Sequence, residues 1–330
     1  MNYSFQLQPY KRNFRQPLKT SHGTWKIREG IIISIKDNQG KLGIGEIAPI
    51  PWFGSETLGE ALSFCKQLGG MITEEKINAI PDEFPCCKFG FESALEDMSR
   101  AEAQRRRGFD NLGAGLADQF CYLTDNLTTK TALNRLDYSY LLPAGEAVLA
   151  AWQNGWNREI RTFKWKIGVE SIDEEIKVFH ELIRRLPEGA RLRLDANGGL
   201  LLKEAQMWLT EADKAGIVEF LEQPLHPQKF DSMLDLSCNY ATLLALDESV
   251  ANLRQLEECY QKGWRGIYVI KAAIMGSPKR LRQFCQQYKI DAVFSTVFET
   301  QIGRQAVLNL AAKLSNPNRA LGFGLISYLE

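Results

Sequence analysis

The sequence predicts an α/β protein: a (β/α) barrel preceded by a smaller α+β domain. Three observations carry this. From about residue 138, eight short apolar runs alternate with amphipathic helical stretches, which is the pattern of parallel β/α units. Most of those runs end in an ionisable or polar residue, spaced about 24 to 29 residues apart, roughly one β/α unit each. The first hundred residues have another texture, antiparallel strands followed by helices.

In chain order, GIIISIKDNQGKLGIGE places Ile31, Ile33 and Ile35 in alternation with their neighbours, and DNQG between two such runs is a hairpin signal. Helical stretches follow near 56–69 and 90–107. The stretch 108–135 is weakly periodic and is read as a connection. The barrel strands are expected in SYLLPAG, TFKWKIGV, RLRLDAN, VEFLEQP, TLLALDES, GIYVIKA, DAVFSTV and ALGFGL, with helices such as DEEIKVFHELIRRL, KEAQMWLTEADKAG and NLRQLEECYQKG between them. TFKWKIGV reads as a strand from Thr162 to Val169. Side chains two apart share a face, so Lys164 and Lys166 point together, opposite Phe163, Trp165 and Ile167. Closing eight such strands gives a TIM-type barrel; an open doubly wound sheet is the alternative. No G-x-G-x-x-G joins a strand to a helix, so a dinucleotide fingerprint is absent.

Composition narrows the function classes. The 330 residues carry 40 Lys plus Arg against 40 Asp plus Glu, a formal net charge of zero, which leaves no electrostatic footprint for nucleic acid or an anionic membrane. The seven cysteines include the neighbours Cys86 and Cys87 but no C-x-x-C pair, so a disulfide framework or structural zinc site is not expected and a reducing, cytoplasmic location is. MNYSFQLQPYKRNF lacks the apolar core of a secretory signal, and no apolar run approaches the roughly 20 residues of a membrane helix. The expected partner is a small-molecule substrate; the charge pattern sets no oligomeric state.

The residues ending the strands are Lys166, Asp195, Glu222, Asp247, Lys271 and Ser295. In a barrel they meet at the C-terminal mouth, where such folds carry their chemistry. An acid at one strand end is commonly a cap or a solvated loop residue. Acids on three consecutive strands, flanked by lysine-bearing strands, are better explained by a shared cation. Asp195, Glu222 and Asp247 offer only oxygen, which suits magnesium, and no Cys or His accompanies them to favour zinc. Lys166 and Lys271 then face a shared cavity from opposite sides. The positive charges of Lys164, Lys166, Lys271 and the cation are expected to lower the lysine pKa values, as a neutral lysine base requires, with the carboxylates opposing.

KWKIG, RLDAN, FLEQPL, ALDES and VIKAA, in this order and spacing, resemble the enolase superfamily, nearest its muconate-lactonizing-like subgroup. IGEIAPIPWFGSET and KFGFESALEDM are similar to its capping-domain and linker signatures, so the resemblance covers nearly the whole chain. It implies a (β/α)7β TIM-type barrel with an N-terminal α+β capping domain: residues 1–110 as cap, 111–324 as linker and barrel, and 325–330 packing back on the cap. It implies Mg2+, with Mn2+ as a substitute, bound by Asp195, Glu222 and Asp247. It assigns Lys166 as the base removing a proton next to a carboxylate, Lys164 as electrostatic assistance to the enediolate, and Lys271 to the opposite face of the substrate. The short chain, the end GFGLISYLE soon after the last strand, and Arg193 two residues before Asp195 are similar to dehydrating lyases of quinone synthesis within that subgroup. Leu200 in DANGGL departs from the tryptophan many relatives carry.

Other residues are weaker candidates. Arg193 is expected to contact a substrate carboxylate or balance charge, Asn197 to touch the site or cap a turn, and Ser295 to hydrogen-bond the substrate. LKTSHGTW, with His22, is expected to be a mobile loop over the mouth, and PWFG a second lid through Trp52 or Phe53. His180 is read as structural, His226 has no assigned role, and Cys86 and Cys87 are read as buried. The rival enzymatic reading is a racemase or epimerase acting on dipeptides or N-acylamino acids with Lys166 and Lys271 as paired acid and base. A rival of another class is a non-catalytic barrel that only binds.

Overall fold

The computed structural model describes residues 1–20, 23–106 and 136–324. The expected connection at 108–135, and the expected packing of 325–330 on the cap, therefore lie outside the described residues, as does His22.

The N-terminal domain is a four-stranded antiparallel sheet in the order β3-β2-β1-β4, backed by helices. Strand β1 (Asn2–Thr20) pairs with β2 (Gly23–Lys36), which pairs with β3 (Leu42–Ile47); β4 (Met71–Thr73) closes the other edge. The expected hairpin turn is there. Asp37 accepts from the backbone N–H groups of Gln39 and Lys41, which locks the two-strand register. Ile31, Ile33 and Ile35 are fully buried against helix α3 (Pro85–Arg106). The helix α1 (Leu58–Gln67) begins in a capping box between Thr57 and Glu60. Helix α2 (Glu74–Asn78) is a short turn between them.

One expectation is corrected here. The segment around LKTSHGTW is not an open loop at its flanks: after a register shift between Asn13 and Leu18, Leu18, Lys19 and Thr20 pair with Trp25, Thr24 and Gly23.

The second domain is a seven-stranded parallel sheet, β5 (Ser139–Leu142), β6 (Thr162–Lys166), β7 (Arg191–Asp195), β8 (Val218–Glu222), β9 (Leu243–Leu246), β10 (Ile267–Ile270) and β11 (Asp291–Phe294), each paired with the next. The eighth expected strand, ALGFGL, is only a short seam. Leu321 bridges Tyr138 and Gly322 bridges Ser295, both parallel, so the two edges of the sheet are joined and the barrel closes. Strand β6 stops at Lys166 rather than Val169. Gly168 takes a positive φ of 74°, and the Glu175 carboxylate collects the N–H groups of Gly168, Val169 and Glu170, turning the chain out of the sheet.

The strand faces divide as period two requires. Phe163 and Trp165 point outward and are fully buried, Trp165 edge-on to Trp208 of helix α6 (Leu202–Ala215). Phe220, Ala245, Ile267, Val269 and Val293 form a separate apolar cluster that fits the interior of the barrel. Among the described residues no helix is long and apolar enough to cross a membrane.

Two carboxylates of the N-terminal domain dock it on barrel helices. Glu46, 1% exposed, accepts from Thr300 N at 2.9 Å and Gly303 N at 2.8 Å, capping helix α10 (Gln301–Leu314), and from Tyr10 Oη at 2.5 Å. Glu92 accepts from Ser277 Oγ at 2.7 Å and Lys279 N at 3.3 Å at the start of helix α9 (Pro278–Tyr288). Helix N-termini carry unpaired N–H groups and partial positive charge, so carboxylates there are favourable.

Candidate active site

Lys164, Lys166, Asp195, Glu222, Asp247 and Lys271 stand at or beside the C-terminal ends of β6 to β10, as the spacing requires. Register aligns them: Lys166 pairs with Asp195, and Asp195 with Glu222.

Their side chains are not gathered on one point. Lys164 Nζ bridges Asp195 Oδ2 at 2.8 Å and Glu222 Oε1 at 2.7 Å, while Asp247 turns to Lys271 Nζ. The three acids are thus neutralised by two ammonium groups. Among the described residues no three Asp, Glu, His or Cys side chains are arranged to hold a metal ion as they stand. The donor chemistry nevertheless fits a hard cation. Burial, with the charge of Asp195 adding to it and Lys164 opposing, pushes Glu222 up to about 7. Burial also raises Asp247 to about 6, against the attraction of Lys271 and with Glu248 adding to it. The Oε2 atom of Glu248 is buried without a hydrogen-bond partner, so a further carboxylate oxygen beside this cluster is unsatisfied. Crowded, buried, oxygen-only acids are what Mg2+ neutralises.

The expected lowering of lysine pKa values is corrected for Lys164. Burial does disfavour its charge, but Asp195, Glu222 and Asp247 together carry its pKa well above the ordinary value. In this arrangement Lys164 is a fixed cation. Lys166 differs from both other lysines: among the described residues it has neither an ion pair nor a side-chain hydrogen bond.

The remaining predicted residues are placed as follows. Arg193, 1% exposed, shares the face of Asp195. Its Nε donates to Glu219 at 2.6 Å and its guanidinium lies over Phe220, so it belongs to a buried network with Glu219, Arg319 and Asp291. Asn197 sits at a positive φ of 45°, donates its backbone N–H to Asp195 Oδ1 and its side chain to Glu248 Oε1, linking two loops of the mouth. Ser295 donates to Gly322 O at 3.0 Å, across the barrel seam. His180 pairs with Glu211 on the outer helices, and His226 accepts from Gln228 N. Leu200 is buried beside Gly168, filling the ground under the β6 loop.

One residue escaped the sequence reading. Gln223, fully buried, uses its carbonyl oxygen to accept from the N–H groups of Asp247 and Ser249, and its amide to donate to Ser249 Oγ and Leu225 O. It fixes the Glu222 and Asp247 strand ends to each other. From the N-terminal domain, Trp52 meets Trp25 edge-on at 4.9 Å, and Trp25 packs in turn on Phe14 and Phe298. Phe53 lies against Lys271.

Comparison with known proteins agrees with this architecture. Residues 146–329 match the family model described as Enolase C-terminal domain-like, and residues 4–98 match MenC, N-terminal domain. The barrel with its carboxylate-bearing strand ends is thus that of the enolase superfamily. The o-succinylbenzoate synthase of Thermosynechococcus vestitus is 36% identical over 97% of this chain and 92% of its own. The crystal structure of o-succinylbenzoate synthase from Thermosynechococcus elongatus BP-1, complexed with Mg in the active site, superposes with a TM-score of 0.83 at 34% identity, covering 98% of this chain and 93% of that one. L-Ala-D/L-Glu epimerase of Bacillus subtilis is more distant, 24% identical over 92% of this chain and 83% of its own. The chain belongs to the o-succinylbenzoate synthase family.

Proposed function

We propose that the chain dehydrates 2-succinyl-6-hydroxy-2,4-cyclohexadiene-1-carboxylate to 2-succinylbenzoate in menaquinone or phylloquinone synthesis, as a magnesium-dependent hydro-lyase. The observation that carries the assignment of roles is the contrast among the three lysines. Lys164 and Lys271 are held by acids, whereas Lys166, at the same mouth, is unpaired among the described residues.

Asp195, Glu222 and Asp247 would hold Mg2+, with Mn2+ as a substitute of similar ligand preference. Bound there, it supplies positive charge against the second negative charge that develops on the substrate carboxylate as the enediolate forms. Lys166 Nζ takes the proton from the carbon bearing that carboxylate. The electron pair of the C–H bond passes into the carboxylate, then returns as the C–O bond to the 6-hydroxyl breaks. The hydroxyl leaves as water on receiving the proton that Lys166 carries, and the ring becomes aromatic. Lys164 remains charged and adds to the positive field, an interaction that strengthens as charge develops. Lys271 approaches the opposite face, where its ammonium meets the ring. Gln223 and Asn197 brace the acid-bearing loops. The proposed location is the cytoplasm; the described cysteines are free thiols and most are buried, which suits a reducing compartment.

The test is turnover of the cyclohexadiene, followed by loss of its absorbance, with magnesium and with chelator. Magnesium-dependent turnover supports the reading. Failure to turn it over, with solvent deuterium instead entering the α-carbon of a dipeptide, would replace it by the epimerase reading.

A further inference from the structure

We propose that Phe53, supplied by the N-terminal domain, positions the Lys271 ammonium. The ammonium nitrogen lies 3.7 Å from the centroid of the Phe53 ring, and it pairs with the Asp247 carboxylate. The Lys271 side chain is 15% exposed, so its ammonium is largely shielded from solvent.

The ring is carried on a rigid support. Pro51–Phe53 form a single 3-10 turn with proline at its start, which presets φ. Phe53 N donates to Ile50 O at 2.9 Å, and Gly54 N to Pro51 O at 3.0 Å, with Gly54 at a φ of 96° that a side chain would strain. Ile50 N is fixed in turn by Ser55 Oγ at 2.7 Å. A Cβ built on Gly54 would stand 3.8 Å from that of Ala251, so the turn is seated against the loop that follows Asp247. Phe53 therefore keeps its place relative to the mouth of the barrel.

Lysine is a point charge on a flexible four-carbon stem, and its head must be held if it is to meet one face of a substrate. An Asp247 engaged with another cation no longer neutralises Lys271. The aromatic face is then a partner that remains in direct contact, and it attracts the ammonium without removing its charge. Phe53 thus acts through Lys271, and the N-terminal domain takes part in the chemistry of the barrel by aiming a lysine. This rests on the role proposed for Lys271.

The experiment compares Phe53→Leu with Phe53→Tyr. The first removes the π face and keeps an apolar side chain; the second keeps the face. The ε-methylene NMR signal of Lys271, assigned by its loss in Lys271→Arg, is displaced upfield by the ring in the wild type. It should stay displaced in Phe53→Tyr and return to the ordinary lysine position in Phe53→Leu. In turnover, Phe53→Leu should lower kcat by about 3- to 30-fold with KM little changed, the range that cation–π contacts span from exposed to desolvated, and Phe53→Tyr should restore it. A Phe53→Leu protein that keeps the upfield signal, or equal kcat losses in the two variants, would overturn the proposal. Phe53→Met serves the same comparison if Phe53→Leu does not fold. A wild type that turns over no cyclohexadiene would defeat the proposed reaction while the NMR comparison still decided the Phe53 contact.

Discussion

Glu46→Ala is expected to be among the most costly single changes outside the mouth of the barrel. The carboxylate is buried and serves Thr300 N and Gly303 N across the domain boundary, along with the Thr300 and Tyr10 hydroxyls. Truncation leaves both backbone donors without an acceptor. Each orphaned, buried N–H costs about 1–3 kcal/mol. Loss of negative charge at the start of helix α10 adds about 0.3–1 kcal/mol. The Tyr10 and Thr300 hydroxyls lose an acceptor as well, which adds to the cost. Together these terms come to about 2–7 kcal/mol, a large share of the roughly 5–15 kcal/mol that holds a domain folded. Urea unfolding at fixed magnesium gives the comparison, with the midpoint moving down in Glu46→Ala and by less in Glu46→Gln, which keeps one acceptor oxygen. A Glu46→Ala midpoint within the equivalent of about 1 kcal/mol of wild type would refute the account of how the two domains are held together.

Three further outcomes are expected. Lys166→Ala should lower kcat by roughly 10²–10⁴, the worth of a general base, while calorimetric titration with magnesium stays close to wild type. Gln223→Leu should weaken magnesium binding by about 10- to 100-fold, as loss of a residue that orients ligands does, read by the same titration. Metal-free protein should lose stability as pH rises, because Glu222 and Asp247 have folded pKa values above their unfolded ones. Their contribution is full below about pH 4 and declines as pH climbs through about 6 and 7. Urea midpoints from pH 5 to 8 in chelator, compared with Glu222→Gln, should show the slope shrinking in the variant.

Much of the fold was legible because parallel β/α units repeat. An apolar run ending in a charged residue, followed by a helix and met again about 25 residues on, fits few folds besides a barrel of such units. The same regularity revealed Asp195, Glu222, Asp247 and the lysines, since strand ends carry function and strand periodicity says which way they face. What could not be read was pairing. Nothing in KWKIG says that Lys164 will reach two acids while Lys166 reaches none among the described residues, because the choice depends on the depth of neighbouring strands. Arg193 had the face right, yet Glu219 and Phe220 draw it into a buried network. Gln223 acts on the backbone of the next strand, a contact with no spacing signature. The long β1 had left a signal, Tyr3, Phe5 and Leu7 at period two. The seam at Leu321 was too short to announce its true length.

That seam has a consequence for synthesis. Leu321 and Gly322 are the last residues needed to join β5 to β11, and Tyr138 waits for them across ~180 residues of chain. At about 5–20 residues per second, the ribosome leaves the first barrel strand with an open hydrogen-bonding edge for roughly ten to forty seconds. During that interval the nascent chain exposes a sheet border that other chains can pair with, so the yield of folded enzyme should respond to translation speed and to chaperones that shield such borders.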